Sequence, residues 1–208
     1  MNYKEKLKKV ETLSLDLGLN PNLDLKLPIT GDKIQLFKDF CSKALIKMLI
    51  ERFGKGDWGQ QSIEVIAQTF DILQKHKVPS ELVYGEVKVN GVNEFGTTTE
   101  ALKKELTNGL SESTFPMHIW INIGKDYIID PTLSSRLHKR HDSNCSQNMI
   151  FTGKSNTLKK QKLEYIPMLA GAKYLDITKG IPLTYQANEQ MTKFYHQAVQ
   201  QAKVKADE

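Results

Sequence analysis

MHIWINI, residues 117–123, and YIIDPTL, residues 127–133, are two apolar-rich runs separated by Gly124, Lys125 and Asp126. In an extended chain successive side chains point to opposite faces, so His118, Trp120 and Asn122 share one face and Ile119, Ile121 and Ile123 the other. The pattern predicts a strand with an aliphatic core face and a polar face, paired with the second run as a hairpin. With a three-residue loop at 124–126, the numbers of residues opposite one another sum to 250. Trp120 then faces Asp130, and Asp130 lies diagonal to His118 on the same face, within reach of a long side chain. A two-residue loop would send Asp130 to the opposite face, so register alone determines whether a carboxylate meets the imidazole.

Upstream of the hairpin, ELVYGEVKVN (81–90) sets Val83, Gly85, Val87 and Val89 on one strand face before an Asn90-Gly91 turn. Pro79 follows a helical period of Ile63, Ile66, Ala67, Phe70 and Leu73 running from about Gln61 to His76. The loop GKGDWGQQ (54–61) precedes that helix. Before it, Leu36, Phe37, Phe40, Cys41, Ala44, Leu45, Met48, Leu49 and Phe53 predict a long amphipathic helix over 33–53, stopped at Gly54. The lysine- and glutamate-rich residues 3–13 predict a short helix. Downstream of the strand expected at 81–90, Thr97 and Glu100 form a capping-box pattern for a helix ending at Asn108-Gly109. KLEYIPML and KYLDIT are expected as strands, and 187–203 as a terminal helix with Met191, Phe194, Tyr195, Ala198 and Val199 inward. The expected fold class is α+β, with helices packed on an antiparallel sheet. It comprises an N-terminal helical arm (1–30), one domain (31–186) and a C-terminal helix (187–208).

The 208 residues are 39% hydrophobic and 25% charged, a globular composition that excludes collagen-like, coiled-coil-array and low-complexity chains. The longest apolar run, Ala44 to Ile50, is interrupted by Lys47 and is too short to span a bilayer, and the lysine-rich start lacks a signal core. A soluble, cytoplasmic protein without a membrane partner is expected. Cys41 and Cys145 make no disulfide scaffold and stand at no metal-finger spacing; neither a metal nor a cofactor is expected. Cys41, mid-helix among apolar residues, is read as a small buried hydrophobe, and Cys145 as an exposed thiol. Net charge is +5, and residues 134–163 hold seven basic residues against one acid, Asp142. This segment is read as a solvated basic loop. Its alternative is a surface for an anionic partner, contacted through Arg136, Lys139, Arg140, Lys159 and Lys160.

A carboxylate beside His118 fixes the ring's tautomer and stabilises the imidazolium, which is the supporting half of a nucleophile, base and orienter triad. The order of elements is a helix after a glycine-containing loop, its end at HKVPSELVYGEV (76–87), a strand bearing His118 and Trp120, and a strand ending in Asp130-Pro131-Thr132. This order resembles the transglutaminase-like branch of the papain-like cysteine enzymes. Besides His118, Trp120, Asp130 and Pro131, the resemblance rests on Lys77-Val78-Pro79 and Gly85, and it covers roughly residues 55–133. It implies a papain-like core, no cofactor, and a nucleophilic cysteine opening the central helix. Counting back from Pro79 places that position at Ser62, with Gln60 and Gln61 the alternatives if the loop is offset; no cysteine stands there. The implied catalytic set is Ser62, His118 and Asp130, with Trp58, Gln60, Gln61 and Trp120 at the substrate cleft. A thiol can be held as thiolate by a helix N-terminus and an imidazolium, whereas a serine hydroxyl needs concerted proton removal as it attacks. The resemblance therefore implies a degenerate site that binds a peptide or protein partner in the old cleft. The alternatives are a serine-based acyl transferase or amide/thioester hydrolase, and a basic module for an anionic partner.

Overall fold

The computed structural model describes residues 1–110, 116–141 and 145–185; the helix expected over 187–203, and with it the C-terminal unit 187–208, lies outside them. In chain order the elements are α1 (Tyr3–Asp16), α2 (Asp32–Asp39), a π-helical turn (Phe40–Leu45), α3 (Ile46–Phe53), α4 (Ser62–Lys75), β1 (Ser80–Val89), β2 (Val92–Asn93), α5 (Thr99–Asn108), β3 (His118–Ile123), β4 (Tyr127–Asp130), α6 (Leu133–His141), β5 (Phe151–Lys154), α7 (Ser155–Lys160), β6 (Leu163–Ala170) and α8 (Lys173–Lys179). The fold is mixed α and β, and every strand pairing is antiparallel.

The sheet runs β6–β1–β3–β4–β5, with β2 folded back on the far end of β1. Asn90 and Gly91 both take positive φ, 53° and 87°, the tight turn that an Asn-Gly pair favours between twisted strands. The β3–β4 hairpin has the three-residue loop: Ile121 faces Ile129, Asn122 faces Ile128 and Ile123 faces Tyr127, each pair summing to 250. Gly124 turns the corner at φ 57°, and a Cβ there would meet the Leu27 carbonyl oxygen at 2.4 Å, so only glycine suits the position.

Alternation along the strands splits the interior into two cores. Leu82, Tyr84, Ile119, Ile121, Ile123, Ile129 and Leu169 meet Phe37, Leu45 and Leu49, then Val65, Ile66, Phe70 and Leu73 of α4, Leu102 of α5 and Tyr174 of α8. Val83, Val87, Trp120, Ile128 and Tyr165 meet Tyr3, Leu7 and Val10 of α1, Leu133 and Leu137 of α6, and Leu158 of α7. At roughly 25 cal/mol per Å² of apolar surface removed from water, both layers stabilise the sheet. The N-terminal arm thus lies on the sheet as a working half of the second core. Asn2 caps α1 in a reciprocal box with Glu5.

Four local expectations are corrected. The helix over 33–53 is interrupted at Phe40–Leu45 by a π-turn that carries Cys41 inward. Thr98, not Thr97, caps α5, its side chain accepting from the Ala101 amide; the Thr97 hydroxyl donates to the Pro116 carbonyl instead. KYLDIT is helix α8, because Tyr174, Leu175 and Thr178 are buried on one helical face and Gly180 ends it in the left-handed conformation. Residues 134–163 are not a solvated loop: they contain α6, β5 and α7, with Leu137 and Leu158 buried beneath the charges. Among the described residues, no helix is long and apolar enough to cross a membrane.

Candidate active site

His118 opens β3 and Asp130 closes β4, which puts them side by side on the second face of the sheet. Nε2 of His118 lies 2.6 Å from Oδ2 of Asp130, and the two residues are 4% and 0% exposed. Asp130 is held from its other side by its own local sequence. Its Oδ1 accepts from the amides of Thr132 and Leu133, each at 3.0 Å, an Asx turn that Pro131 helps to shape and that starts α6. Oδ2 also accepts from the Tyr165 hydroxyl at 2.9 Å. Burial pushes the Asp130 carboxyl up, but the charge and hydrogen bond of His118 and the two amides outweigh it and hold the group below the ordinary carboxylate range. An ionised Asp130 requires the proton on Nε2 of His118. Nδ1 makes no hydrogen bond among the described residues.

Aromatic rings enclose the imidazole. Phe95 stacks on it at 4.4 Å and 14°, Trp120 lies 6.0 Å away, and Tyr165 is at 6.5 Å. The Trp120 indole donates to the Tyr3 hydroxyl at 2.8 Å, which ties α1 to this face. Gly85 sits opposite His118 in the β1–β3 ladder. A Cβ there would stand 2.1 Å from the Ile166 carbonyl oxygen and 3.0 Å from the edge of the Trp120 indole, so the glycine of the YGEV phrase makes room for strand β6 and for the ring.

Ser62 is the first residue of α4, half-buried, and its hydroxyl makes no hydrogen bond among the described residues. The helix packs on the Ile119–Ile121–Ile123 face, opposite to His118. Because α4 runs into β1, whose Ser80 lies across from Ile123, the helix starts at the His118 end of the sheet. The loop before it bends around that end: the Trp58 amide donates to the Ser135 hydroxyl, and Asp57 pairs with Lys139 at 3.0 Å, both on α6. The structure thus brings together His118, Asp130 and Trp120, and does not bond Ser62 to them. Gln60 and Gln61 are exposed at the helix start. Trp58 and Trp120 are not cleft walls: they are 1% and 0% exposed, and the Trp58 indole donates to the Gly54 carbonyl.

Neither thiol is activated by its surroundings. Burial pushes Cys41 up to about 12, so it stays protonated within the first core. Cys145 is half-buried and also pushed up by burial. Four of the five basic residues read as anion contacts already have acidic partners. Arg136 and Arg140 converge on Glu94 at 2.8 and 3.0 Å, Lys139 holds Asp57, and Lys159 holds Glu164 at 3.0 Å. Lys160 is exposed.

Sequence reasoning missed Tyr165, Phe95, Tyr3 and Glu86. Only Glu86 carried a local signal, a lone carboxylate inside the apolar strand YGEVKV. Tyr165 reaches the site on β6 and Tyr3 on α1, both placed by packing distant in the chain, and Phe95 on the segment after β2. Comparison with protein-family models, curated proteins and solved structures finds no match to this chain.

Proposed function

We propose that this chain is a transglutaminase-like scaffold of papain-like architecture that has lost its thiol nucleophile and holds a peptide or protein partner instead of turning it over. The observation that carries this reading is the buried His118–Asp130 pair, whose Nδ1 meets no nucleophile among the described residues. Burying an ionised carboxylate is costly unless it is fully bonded, and Asp130 is bonded by an imidazole, a phenol and two amides. Such an arrangement does what an orienting carboxylate does for a base: it fixes the tautomer and leaves the far nitrogen as the acceptor. The order α4, β1, β3, β4, with the start of α4 and His118 at one end of the sheet, supports the same scaffold. With Trp58 and Trp120 withdrawn into the cores, a partner would meet the helix start at Gln60 and Gln61.

An Nδ1 with no hydrogen bond among the described residues favours one second reading, a serine-based acyl transferase or hydrolase in which Ser62 attacks, His118 takes and returns the proton, and Asp130 steadies the ring. Turnover of an activated acyl ester and of a peptide thioester separates the two. The proposal predicts the same background rate for the wild type, Ser62→Ala and His118→Ala. Turnover that falls in both variants, with folding retained by circular dichroism, would overturn it in favour of the serine enzyme.

A further inference from the structure

The hairpin that follows β1 continues into residues 94–97, and this short segment covers the imidazole. Phe95 lies flat on His118 at 4.4 Å, and the Arg136 guanidinium lies over the same Phe95 ring, 4.3 Å from its centroid, so cation, phenyl and imidazole form one stack. From inside, the segment hangs chiefly on one side chain, beside the bonds of the Glu94 amide to the Val87 carbonyl and of the Thr97 hydroxyl to the Pro116 carbonyl. The Glu86 carboxylate, 1% exposed, accepts from the amides of Glu94 and Phe95 at 3.0 and 2.9 Å through one oxygen. Through the other it accepts from Gly96 and Thr97 at 2.5 and 3.1 Å. From outside, Arg136 and Arg140 close on Glu94, reaching both its carboxylate and its carbonyl oxygen.

We propose that residues 94–97 are a latched lid over His118, hung from Glu86 and fastened by Arg136 and Arg140 on Glu94. What distinguishes a lid from a fixed wall is the kind of contact that keeps it shut. Phe95 is its only large apolar side chain and is itself only half-buried. Gly91 before the segment and Gly96 within it, at φ 87° and 73° with open space around them, are exposed positions where the backbone can turn. The fastening arginines are 33% and 58% exposed at the side chain, where salt screens ion pairs. The Glu94 and Thr97 side chains are buried, yet the segment has Phe95 as its one apolar anchor and opens locally at lower cost than the sheet beneath it. When it opens, Phe95 leaves the ring and Nδ1 of His118 meets solvent. The latch acts on access to His118 whether or not the ring takes part in turnover.

Carbethoxylation of the full-length chain by diethyl pyrocarbonate, read histidine by histidine by peptide mass mapping, tests this. Exposed His138 is the internal reference. In the wild type His118 is expected to react at least about tenfold more slowly than His138. Phe95→Ala, which removes the cover, and Glu94→Gln, which loosens the latch, should each raise the His118 rate about tenfold. Lys139→Ala, which alters a neighbouring charge without touching the latch, should leave it unchanged. Equal labelling of His118 and His138 in the wild type would overturn the lid. So would an unchanged His118 rate in Glu94→Gln, the milder variant, which decides the matter if Phe95→Ala fails to fold.

Discussion

The two faces of the sheet are built from alternate residues of the same strands, yet they are made of different chemistry. The first is mainly aliphatic at its centre, with Ile119, Ile121, Ile123 and Ile129 against the helices α2 to α5, and its hydrogen-bonded hydroxyls are those of Tyr84, Tyr127 and Tyr174. The second interleaves its apolar side chains with a chain of hydrogen bonds, Tyr165 to Asp130 to His118 on one side and Trp120 to Tyr3 on the other. Dispersion and burial tolerate small shifts, whereas a buried carboxylate does not tolerate the loss of a partner. A fold that needed only stability would fill both faces with the first kind. The second face therefore marks where geometry, rather than burial alone, has constrained the sequence.

Removing the centre of each face sharpens the comparison. Asp130→Ala leaves the imidazole, a phenol and two amides without their acceptor in a dry site and should cost about 4–5 kcal/mol in chemical denaturation. Ile121→Ala removes more apolar volume but strands no polar group, and should cost about 3 kcal/mol. The reverse order would break the contrast.

Glu81, at the start of β1, tests what an incompletely compensated buried carboxylate does. It accepts from the amides of Asn22 and Leu82 and from the Tyr185 hydroxyl, but burial dominates and pushes it up to about 7. Since its folded pKa lies above the ordinary value of 4.5, the folded state binds the proton more tightly. The Glu81 contribution to stability should be fully present below pH 4.5 and be lost, about 3 kcal/mol in all, as pH rises through 7. Asp130, held low, has the opposite sign, with its contribution present above the ordinary carboxylate pKa and lost as pH falls through its own. Glu81→Gln should abolish the slope between pH 5 and 7 in thermal or urea melts and leave the acid limb in place.

Tyr165→Phe removes one of several donors to Asp130 and should cost about 1 kcal/mol; a loss as large as that of Asp130→Ala would move the centre of the network to the phenol. Lys139→Ala breaks the half-exposed pair with Asp57 and should change stability by less than about 1 kcal/mol.

Local chemistry made much of the second face readable before any coordinates. The His118–Asp130 pairing follows from a three-residue loop and from the period of two, both contained in 16 consecutive residues, 118–133. The Asn90-Gly91 turn and the stop of the long helix at Gly54 are equally local. What escaped depends on partners distant in the chain. The basic residues of α6 look like a solvated run because Glu94, which takes two of them, lies 42 and 46 residues away. KYLDIT has strand-like composition, and only packing of Tyr174 against Tyr84, 4.4 Å between rings, and against α5 makes it a helix. Trp58 and Trp120 suit either a cleft or a core by type, and their indole hydrogen bonds to Gly54 and Tyr3 decide for the core.

The proposed scaffold requires that Ser62 stand where a thiol would be paired with His118. Placing a thiol there tests it most directly, by following the alkylation rate of Ser62→Cys with iodoacetamide against pH, in the presence and absence of His118→Ala. The account predicts that the thiol reacts as thiolate well below the ordinary cysteine pKa of about 8.5 and that this advantage disappears with the imidazole. A profile with an ordinary midpoint, unchanged by His118→Ala, would contradict it.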